Sequence, residues 1–553
     1  MSRQLFGKWP IGLDEREAAL AAALLRGPNA APATVSKRAC QLLSEMQRAS
    51  ECQGLEGFAQ QALSGGLRAT QSASRRLAPH LARRLLVEPG VDVRSTLDAA
   101  LQAQATSVLR RQLGALRNQN VEDGAVVVLD NASGEVLAWV GSSGDLSDAP
   151  EVDGVTALRQ AGSTLKPLLY TQAFAERRLT PASLIEDAPL ALTTGNGLYT
   201  PQNYEPSYRG WVSARMALGG SLNVPAVKTL VRVGPDAFVD SLRKNGFSSL
   251  KESGDWYGYS LALGSADVSL LMLANGYRSL ANAGRWSPLR ATSAPFPCRQ
   301  PGCAKVFEGS PRQVYTPAAS FLTSHILADA SARAGTFGLE SWLATPYWTA
   351  VKTGTSKDMR DNWCIGYSRA YTVAVWVGNA SGSPMHDVSG ITGAAPVWRE
   401  VMDWLHRGDP QQGRPLRPSP PPIAPPGVVM ENIRFDPAHE PPREEYFLAG
   451  TQMDVVRSAG AQALARIAYP ADGSIIALDP DIPPPRQRLP LRLSAPAGKG
   501  WQWEIDGKPL GRADRAQSWL PMPGKHRLLL RDARRQTLDA VAFEVRALRG
   551  KAR

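Results

Sequence analysis

The sequence predicts an α+β protein in which helices pack on a five-stranded antiparallel sheet and a small C-terminal β-sandwich follows. Three observations predict this fold class. Apolar residues between Leu97 and Leu116 recur at the spacing of a core-facing helix. Five segments have the composition and length of strands. Near the C-terminus, short alternating runs are separated by turn residues, as in a small sandwich.

The predicted sheet takes its strands from two separated stretches of chain. We expect the five strands at 125–129, 135–140, 348–353, 363–367 and 371–377. The residues from Asp130 to Gly134 would form the turn of the first pair. We expect the helices between residues 163 and 335 to cover both faces of the sheet. After the last strand, Pro410–Gly427 holds eight prolines in 18 residues, which predicts a stiff, extended linker.

Three short motifs carry the predicted chemistry: Ser163-Thr164-Leu165-Lys166, Ser221-Leu222-Asn223 and Lys352-Thr353-Gly354-Thr355. Each is weak alone, but their order along one chain makes the combination specific. The spacing of Ser163 and Lys166 places a hydroxyl and an amine on the same side of one helical turn. Serine needs an adjacent base, and a desolvated lysine near a second cation can serve as one. The sequence therefore predicts Ser163 as nucleophile, Lys166 as its base and Lys352 as the second cation.

The three motifs form a known signature of penicillin-binding proteins and related β-lactamases. Further matches are spread over most of the chain and include Ser95-Thr96-Leu97-Asp98, Asp361-Asn362-Trp363 and Gly393-Ala394-Ala395-Pro396-Val397-Trp398. On these residues the chain resembles the class A penicillin-binding proteins, specifically the penicillin-binding protein 1C group. The resemblance implies the penicillin-binding transpeptidase fold, which is β-lactamase-like.

The resemblance implies a serine-type D,D-transpeptidase. Such an enzyme attacks the D-Ala-D-Ala end of a peptidoglycan stem peptide, forms an acyl-enzyme, releases D-alanine and passes the acyl group to an amine of a neighbouring strand. β-Lactams mimic that substrate and acylate the same serine. The implied partners are stem peptides, β-lactams and cell-wall synthesis proteins that meet the C-terminal domain. No cofactor and no metal is expected.

The resemblance also implies a role for each motif residue. The implied catalytic residues are Ser163, Lys166, Ser221, Asn223 and Lys352. Among them, Ser221 would relay a proton to the leaving amine, Asn223 would hold the substrate amide, and Lys352 would set the electric field around the two serines. The implied substrate-binding residues are Thr353, Gly354 and Thr355, and the implied oxyanion hole consists of the backbone N–H groups of Ser163 and Thr355.

Two other classes of function stay open. A hydrolase, either a D,D-carboxypeptidase or a β-lactamase, would use water in place of the acceptor amine. Leu222 occupies the position at which the β-lactamase pattern has aspartate, and this difference argues against a β-lactamase. A non-catalytic envelope scaffold would retain the site without using it. The complete set of polar side chains favours the transpeptidase.

The resemblance divides the chain into four parts: 1–62 as the C-terminal remnant of a glycosyltransferase domain, 63–408 as the transpeptidase domain, 409–430 as the linker and 431–549 as an accessory β-sandwich. Glycosyltransferase activity is not expected, because the acidic residues that polymerise glycan would lie upstream. No stretch approaches the roughly 20 apolar residues of a membrane helix, and we expect neither an anchor nor an export signal in this chain. By resemblance, the protein lies on the periplasmic side of the bacterial inner membrane.

The charge of the chain limits the expected classes of partner, and its cysteines suggest a possible disulfide. The net charge is +12, but the basic residues are spread out and no nucleic-acid motif accompanies them, so nucleic acid is not an expected partner. An anionic envelope surface suits this charge better. Among five cysteines, Cys298 and Cys303 form one close pair, which could be a periplasmic disulfide or two free thiols. Cys364, within a predicted strand, is expected in the core.

Overall fold

A computed structural model of the protein describes residues 2–6, 8, 10–64, 77–86, 90–194, 197–204, 207–293, 307–409, 413–458, 467–478, 482–493, 497–498 and 500–547. The described helices are α1 (Ser2–Leu5), α2 (Glu15–Leu25), α3 (Pro32–Glu45), α4 (Leu55–Leu63), α5 (Pro79–Leu85), α6 (Ala99–Ala115), α7 (Lys166–Ala175), α8 (Ala214–Gly219), α9 (Asn223–Val233), α10 (Pro235–Lys244), α11 (Gly254–Tyr257), α12 (Leu270–Ala281), α13 (Pro317–Ala328), α14 (Ala330–Phe337) and α15 (Ala394–His406).

The strands of the N-terminal and central parts are β1 (Asp123–Asp130), β2 (Val136–Val140), β3 (Arg159–Gln160), β4 (Leu184–Asp187), β5 (Leu192–Thr194), β6 (Gly197–Tyr199), β7 (Gly210–Ser213), β8 (Asp267–Val268), β9 (Arg285–Trp286), β10 (Arg312–Gln313), β11 (Ala350–Thr355), β12 (Asp361–Tyr367) and β13 (Tyr371–Gly378). The C-terminal strands are β14 (Val428–Asp436), β15 (Arg443–Leu448), β16 (Val455–Arg457), β17 (Ile467–Tyr469), β18 (Ile475–Leu478), β19 (Leu489–Leu493), β20 (Gln502–Ile505), β21 (Lys508–Arg512), β22 (Gln517–Trp519), β23 (Gly524–Arg531) and β24 (Thr537–Ala547). Residues 1–79 and 80–553 form two separate units.

The main sheet of the second unit has the strand order β11-β12-β13-β1-β2, and every neighbouring pair is antiparallel. This confirms the predicted five-stranded sheet. The strands β12 and β13 are buried along their whole length. Because both faces of the sheet are covered, neither strand alternates between buried and exposed residues, and β12 buries even the polar Asp361 and Asn362. The strand β11 lies at one edge of the sheet.

Two different groups of helices cover the sheet. One face packs on α12, which contacts β1, β12 and β13. The other face packs on α6 and α15, whose apolar side chains share one core with the outward residues of the strands. The expectation that the helices between residues 163 and 335 cover both faces was therefore wrong for the second face. That face is closed by one helix that precedes β1 and one that follows β13.

The strands β14, β15 and β16 form a three-stranded sheet of their own. Its apolar side chains, among them Phe435 and Phe447, pack together with Ala182 from the region before β4. Glu445 from β15 is fully buried and accepts hydrogen bonds from Arg215 of α8 at 2.8 and 2.5 Å. Apolar and ionic contacts thus join residues 428–457 to the helical region around Arg215.

The C-terminal strands form two further sheets, with the orders β17-β19-β22 and β18-β24-β23-β20-β21. Side chains from both sheets enclose one apolar core that includes Leu491, Trp503, Leu528 and Phe543. The predicted strand-rich C-terminal domain is confirmed. Its two sheets begin at Ile467, after the separate sheet of residues 428–457.

The first unit is helical and has its own core. Apolar residues of α2, α3 and α4, such as Leu20, Val35 and Leu55, are buried against one another. A disulfide joins Cys40 of α3 to Cys52, 12 residues later. This pairing was not predicted from the sequence, and the close pair of Cys298 and Cys303, for which a disulfide was considered, lies outside the described residues.

Two further expectations concern single features of the chain. Cys364 is a free thiol and is fully buried in β12, as expected. Within the described ranges, the structure contains no helix with the length and apolar content required to cross a membrane.

Candidate active site

The turn that carries Ser163 is held tightly against the edge strand β11. Residues Gly162–Leu165 form a 3-10 turn that leads directly into α7. Gly162 has a φ of +55°, and a Cβ atom on it would lie 2.8 Å from the carbonyl oxygen of Thr355. On the other side, a Cβ on Gly264 would lie 1.9 Å from the carbonyl oxygen of Gly162. Only glycine permits both approaches, which bring the Ser163 turn to the C-terminal end of β11.

Lys166 lies at the start of α7 and is fully buried. Its Nζ donates hydrogen bonds to the carbonyl oxygen of Ser221 and to Oδ1 of Asn223, each at 2.7 Å. Both acceptors are uncharged. The first and second motifs, 55 residues apart in sequence, therefore meet at the lysine amine.

Ser221 connects the second motif to the third. Nζ of Lys352 donates to Oγ of Ser221 at 2.7 Å and to the carbonyl oxygen of Thr353 at 2.8 Å. Ser221 has a φ of +59°, in the left-handed region that residues other than glycine rarely adopt. Such strain is retained where the surroundings fix the conformation, and it is concentrated at functional sites. The turn between α8 and α9 thus presents the carbonyl oxygen of Ser221 to one lysine and its hydroxyl to the other.

The electrostatics of the two lysines differ from those of lysines in water. Burial and the nearby charge of Lys352 lower the pKa of Lys166 well below its usual value, while Asp187 opposes this shift. Burial lowers the pKa of Lys352 to about 7. A neutral amine has two N–H groups and one lone pair. Because Lys166 donates two hydrogen bonds, its neutral form keeps a lone pair that can accept a proton.

The third motif occupies the end of β11. Thr353 pairs with Cys364 and Thr355 pairs with Asn362 across the ladder to β12. Oγ1 of Thr355 accepts a hydrogen bond from the backbone N–H of Gly390 at 3.0 Å. The Ser163 turn contacts both β11 and β12, and a Cβ atom on Gly162 would lie 3.1 Å from the backbone nitrogen of Thr355. The backbones of the two predicted oxyanion-hole segments are therefore in contact.

Two polar residues beside the second motif, Asp187 and Asn203, were not predicted from the sequence. The helix α9 begins at Asn223, and the preceding Leu222 offers no side-chain acceptor for the first N–H groups. Asn203 supplies that acceptor from 20 residues upstream, and the buried Asp187 in turn binds Asn203. The available signal was the apolar residue at a helix start, because an uncapped buried helix requires a partner from elsewhere.

The described residues show no metal centre at this site. Within the part of the chain that the structure describes, no group of three or more His, Cys, Asp or Glu side chains is placed to hold a metal ion. The polar groups that meet at the site are amines, hydroxyls and amides, which suit proton transfer and acyl chemistry.

Two families match this chain. Residues 124–403 match the family described as "Penicillin binding protein transpeptidase domain". Residues 456–543 match the "Penicillin-Binding Protein C-terminus Family". The first match contains all three motifs and the whole five-stranded sheet except the first residue of β1. The second covers most of the C-terminal strand-rich domain.

Similar proteins include penicillin-binding protein 1C of Escherichia coli, 32% identical over 60% of this chain and 40% of that protein. Penicillin-binding protein 1B of Vibrio cholerae is 28% identical over 60% of this chain and 43% of that protein. The chain thus spans about two fifths of the length of these relatives. Among solved structures, penicillin-binding protein 1A from Haemophilus influenzae matches with a TM-score of 0.57 and 19% identity, over 82% of this chain and 88% of that one. This likeness supports the fold.

Proposed function

Because the chain belongs to the penicillin-binding protein family through its transpeptidase domain, we propose that it is a peptidoglycan D,D-transpeptidase that forms an acyl-enzyme on Ser163. The observation that carries the proposal is the meeting of the three motifs. Lys166 binds both Ser221 and Asn223, and Lys352 binds Oγ of Ser221. Two buried lysines next to a serine turn provide the base and the positive field that acyl transfer requires.

Acylation begins at the lone pair of Lys166. The amine accepts the proton of Ser163 as Oγ attacks the carbonyl carbon of the penultimate D-alanine. The backbone N–H groups of Ser163 and Thr355 hold the resulting oxyanion, and each such donor lowers the barrier by roughly 3 kcal/mol. The bond to the terminal D-alanine then breaks. The proton held by Lys166 passes through the hydroxyl of Ser221 to the leaving amine.

The second half of the reaction reverses these roles. An acceptor amine attacks the ester carbonyl, gives up a proton to the same lysine and serine groups, and displaces Oγ of Ser163. The positive charge of Lys352 and the hydroxyls of Thr353 and Thr355 suit the carboxylate of the donor peptide. Asn223 holds the donor amide. A β-lactam acylates Ser163 by the first half of this sequence.

The experiment that tests the proposal uses the full chain and two substrates. A fluorescent penicillin should give a stable adduct that peptide mapping places on Ser163. A donor ending in D-Ala-D-Ala, supplied with an amine acceptor, should give D-alanine and the aminolysis product. Absence of any adduct would contradict the proposal and would indicate a non-catalytic envelope scaffold. An adduct lost rapidly with hydrolysed penicillin would indicate a β-lactamase, and free acid as the sole peptide product would indicate a carboxypeptidase.

The proposed function also assigns a role to each part of the chain. We propose that residues 63–408 form the transpeptidase domain, that 409–430 link it to the C-terminal region, and that residues 431–549 form the accessory region that meets other cell-wall synthesis proteins. Residues 1–62 are proposed as a remnant of a glycosyltransferase domain. Similarity to envelope enzymes supports a location on the periplasmic side of the inner membrane.

A further inference from the structure

A remote side chain caps the helix that carries the second motif. The first N–H groups of α9 have no partner within the helix, and Leu222 at the N-cap cannot accept them. Oδ1 of Asn203 accepts the backbone N–H of Asn223 at 3.0 Å and that of Val224 at 3.3 Å. The helix start is thus fixed by a residue on the chain segment between β6 and β7, 20 residues away in sequence.

The same segment also fixes the side chain of Asn223. Its Nδ2 donates to the carbonyl oxygen of Gln202 at 2.8 Å, and its Oδ1 accepts from Nζ of Lys166 at 2.7 Å. Neighbouring residues of one loop therefore hold both the backbone and the amide of Asn223. With Nδ2 occupied by Gln202, the oxygen of the amide is the end that faces Lys166.

Asp187, at the end of β4, determines which way the amide of Asn203 points. It is fully buried, and its oxygens accept Nδ2 of Asn203 at 2.8 and 3.0 Å and the backbone N–H of Arg209 at 2.9 Å. A carboxylate only accepts hydrogen bonds, and backbone N–H groups only donate. The amide of Asn203 can satisfy both neighbours in one orientation alone, with Nδ2 towards Asp187 and Oδ1 towards α9.

We propose that Asp187 and Asn203 are positioning residues for acylation of Ser163. Asp187 orients Asn203, and Asn203 fixes the first turn of α9. That turn presents Asn223 to Lys166 and so holds the amine in place. The inference rests on the proposed transpeptidase function, because it assigns these two residues a part in the same acylation step.

Asp187 has a second, electrostatic effect on the base. The charged groups that act on Lys166 are Lys352 from β11, which together with burial lowers its pKa, and Asp187 from β4, which raises it. On α9, Lys228 is already paired with Glu186 at 3.2 Å. Asp187 therefore keeps the pKa of Lys166 from falling as far as burial and Lys352 alone would take it.

The test measures the acylation rate of the full chain by a fluorescent penicillin as a function of pH, together with the melting temperature. Asn203→Ala should slow acylation by about 10- to 100-fold, since a small displacement of a catalytic group has effects of this size. Its pH profile should keep its shape, because the charge of Asp187 remains. Asp187→Asn should slow acylation and also move the acidic limb of the profile to lower pH, since the base then loses its proton more easily.

A neighbouring carboxylate and an exchanged pair serve as controls. Glu186→Gln removes a charge from the adjacent position of β4, which does not act on Lys166, and should leave the rate within about 3-fold of the wild type and the acidic limb in place. The double variant Asp187→Asn/Asn203→Asp exchanges the two groups. Its carboxylate can still accept the N–H groups of α9, and its amide can donate to that carboxylate. It should recover at least a tenth of the wild-type rate.

The outcomes separate this inference from the proposed function. A wild-type chain that is not acylated at Ser163 contradicts the proposed function itself. Suppose that the wild type is acylated and that both single variants fold. If their rates and pH profiles then match those of Glu186→Gln, the positioning role of Asp187 and Asn203 is overturned. If a single variant does not fold, the exchanged pair decides: a folded exchanged pair with less than a tenth of the wild-type rate also overturns it.

Discussion

Two buried clusters of charged groups in this protein differ in how burial affects their ionisation. At the candidate site, the amines of Lys166 and Lys352 donate hydrogen bonds to uncharged oxygens. Beside β15, Arg215 is bound to the carboxylates of Glu445 and Asp329. The first cluster contains cations that lie near each other, and the second contains a cation surrounded by anions.

The pKa shifts follow from these arrangements. Burial disfavours the charged form of Lys166 and Lys352, and both pKa values fall. Burial also acts against the charges of Arg215 and Glu445, but their mutual hydrogen bonds and attraction outweigh it, so the pKa of Arg215 rises and that of Glu445 falls. Direct pairing thus makes a buried charge permanent and structural, whereas a buried amine whose hydrogen bonds go to uncharged oxygens stays available for proton transfer.

The largest effect is expected at the lysine cluster. Lys166→Ala should reduce the rate of labelling by a fluorescent penicillin by about 10²- to 10⁴-fold, because it removes the base of acylation. Ser163→Ala should abolish labelling. Lys357→Ala, at an exposed lysine just beyond β11, is the matched control and should label normally. Rapid labelling of the Lys166 variant would show that the two clusters do not differ in chemical role.

The paired cluster should instead respond in stability. Glu445→Ala leaves Arg215 without its main counter-ion and should lower the free energy of unfolding by about 3–5 kcal/mol. Glu444→Ala, on the exposed face of the same strand, should change it by less than about 0.5 kcal/mol. Urea denaturation of both variants measures the difference. Equal midpoints would mean that Glu445 does not stabilise the attachment of residues 428–457.

The pH dependence of stability also distinguishes the two clusters. The pKa of Lys352 is about 7 in the folded protein and 10.5 for an ordinary lysine. Between these values the unfolded chain holds a proton that the folded chain has lost, so the free energy of unfolding should rise with pH by up to about 1.4 kcal/mol per unit. Lys352→Met should remove this contribution and slow acylation. Denaturation at pH 7 and pH 9 would test it, and an unchanged slope in the variant would contradict the shift.

The smallest expected effect concerns His325, which lies beside Arg215. Burial and the charge of Arg215 lower the pKa of His325 from 6.5 to about 4. In that interval the unfolded chain binds a proton and the folded chain does not, so stability should decrease as the pH falls from 6.5 to about 4. His325→Gln should flatten this decrease, while His439→Gln, at an exposed histidine, should leave it as in the wild type. Identical slopes for both variants would contradict the neutral state of His325.

The sequence was sufficient for the features that local patterns encode. The strands β1, β2 and β13 of the main sheet are mainly apolar runs, and the motif lysines stand at fixed distances from serine and glycine residues. The partners of those lysines could not be read in the same way. The contact of Asn203 with Asn223 and that of Arg215 with Glu445 join residues 20 and 230 positions apart. No periodicity reports such pairs, because they are set by the packing of complete elements. The packing of α6 and α15 on the second face of the sheet was not predicted, for the same reason.

The bond between Cys40 and Cys52 has a consequence for how this protein must be produced. Disulfides form and persist in oxidising compartments, whereas a reducing cytoplasm keeps thiols reduced. A preparation made in a reducing cytoplasm would carry an N-terminal helical unit without this cross-link, whereas one made in an oxidising compartment would carry it. Counting free thiols with and without a reductant, before any activity assay, would distinguish the two preparations.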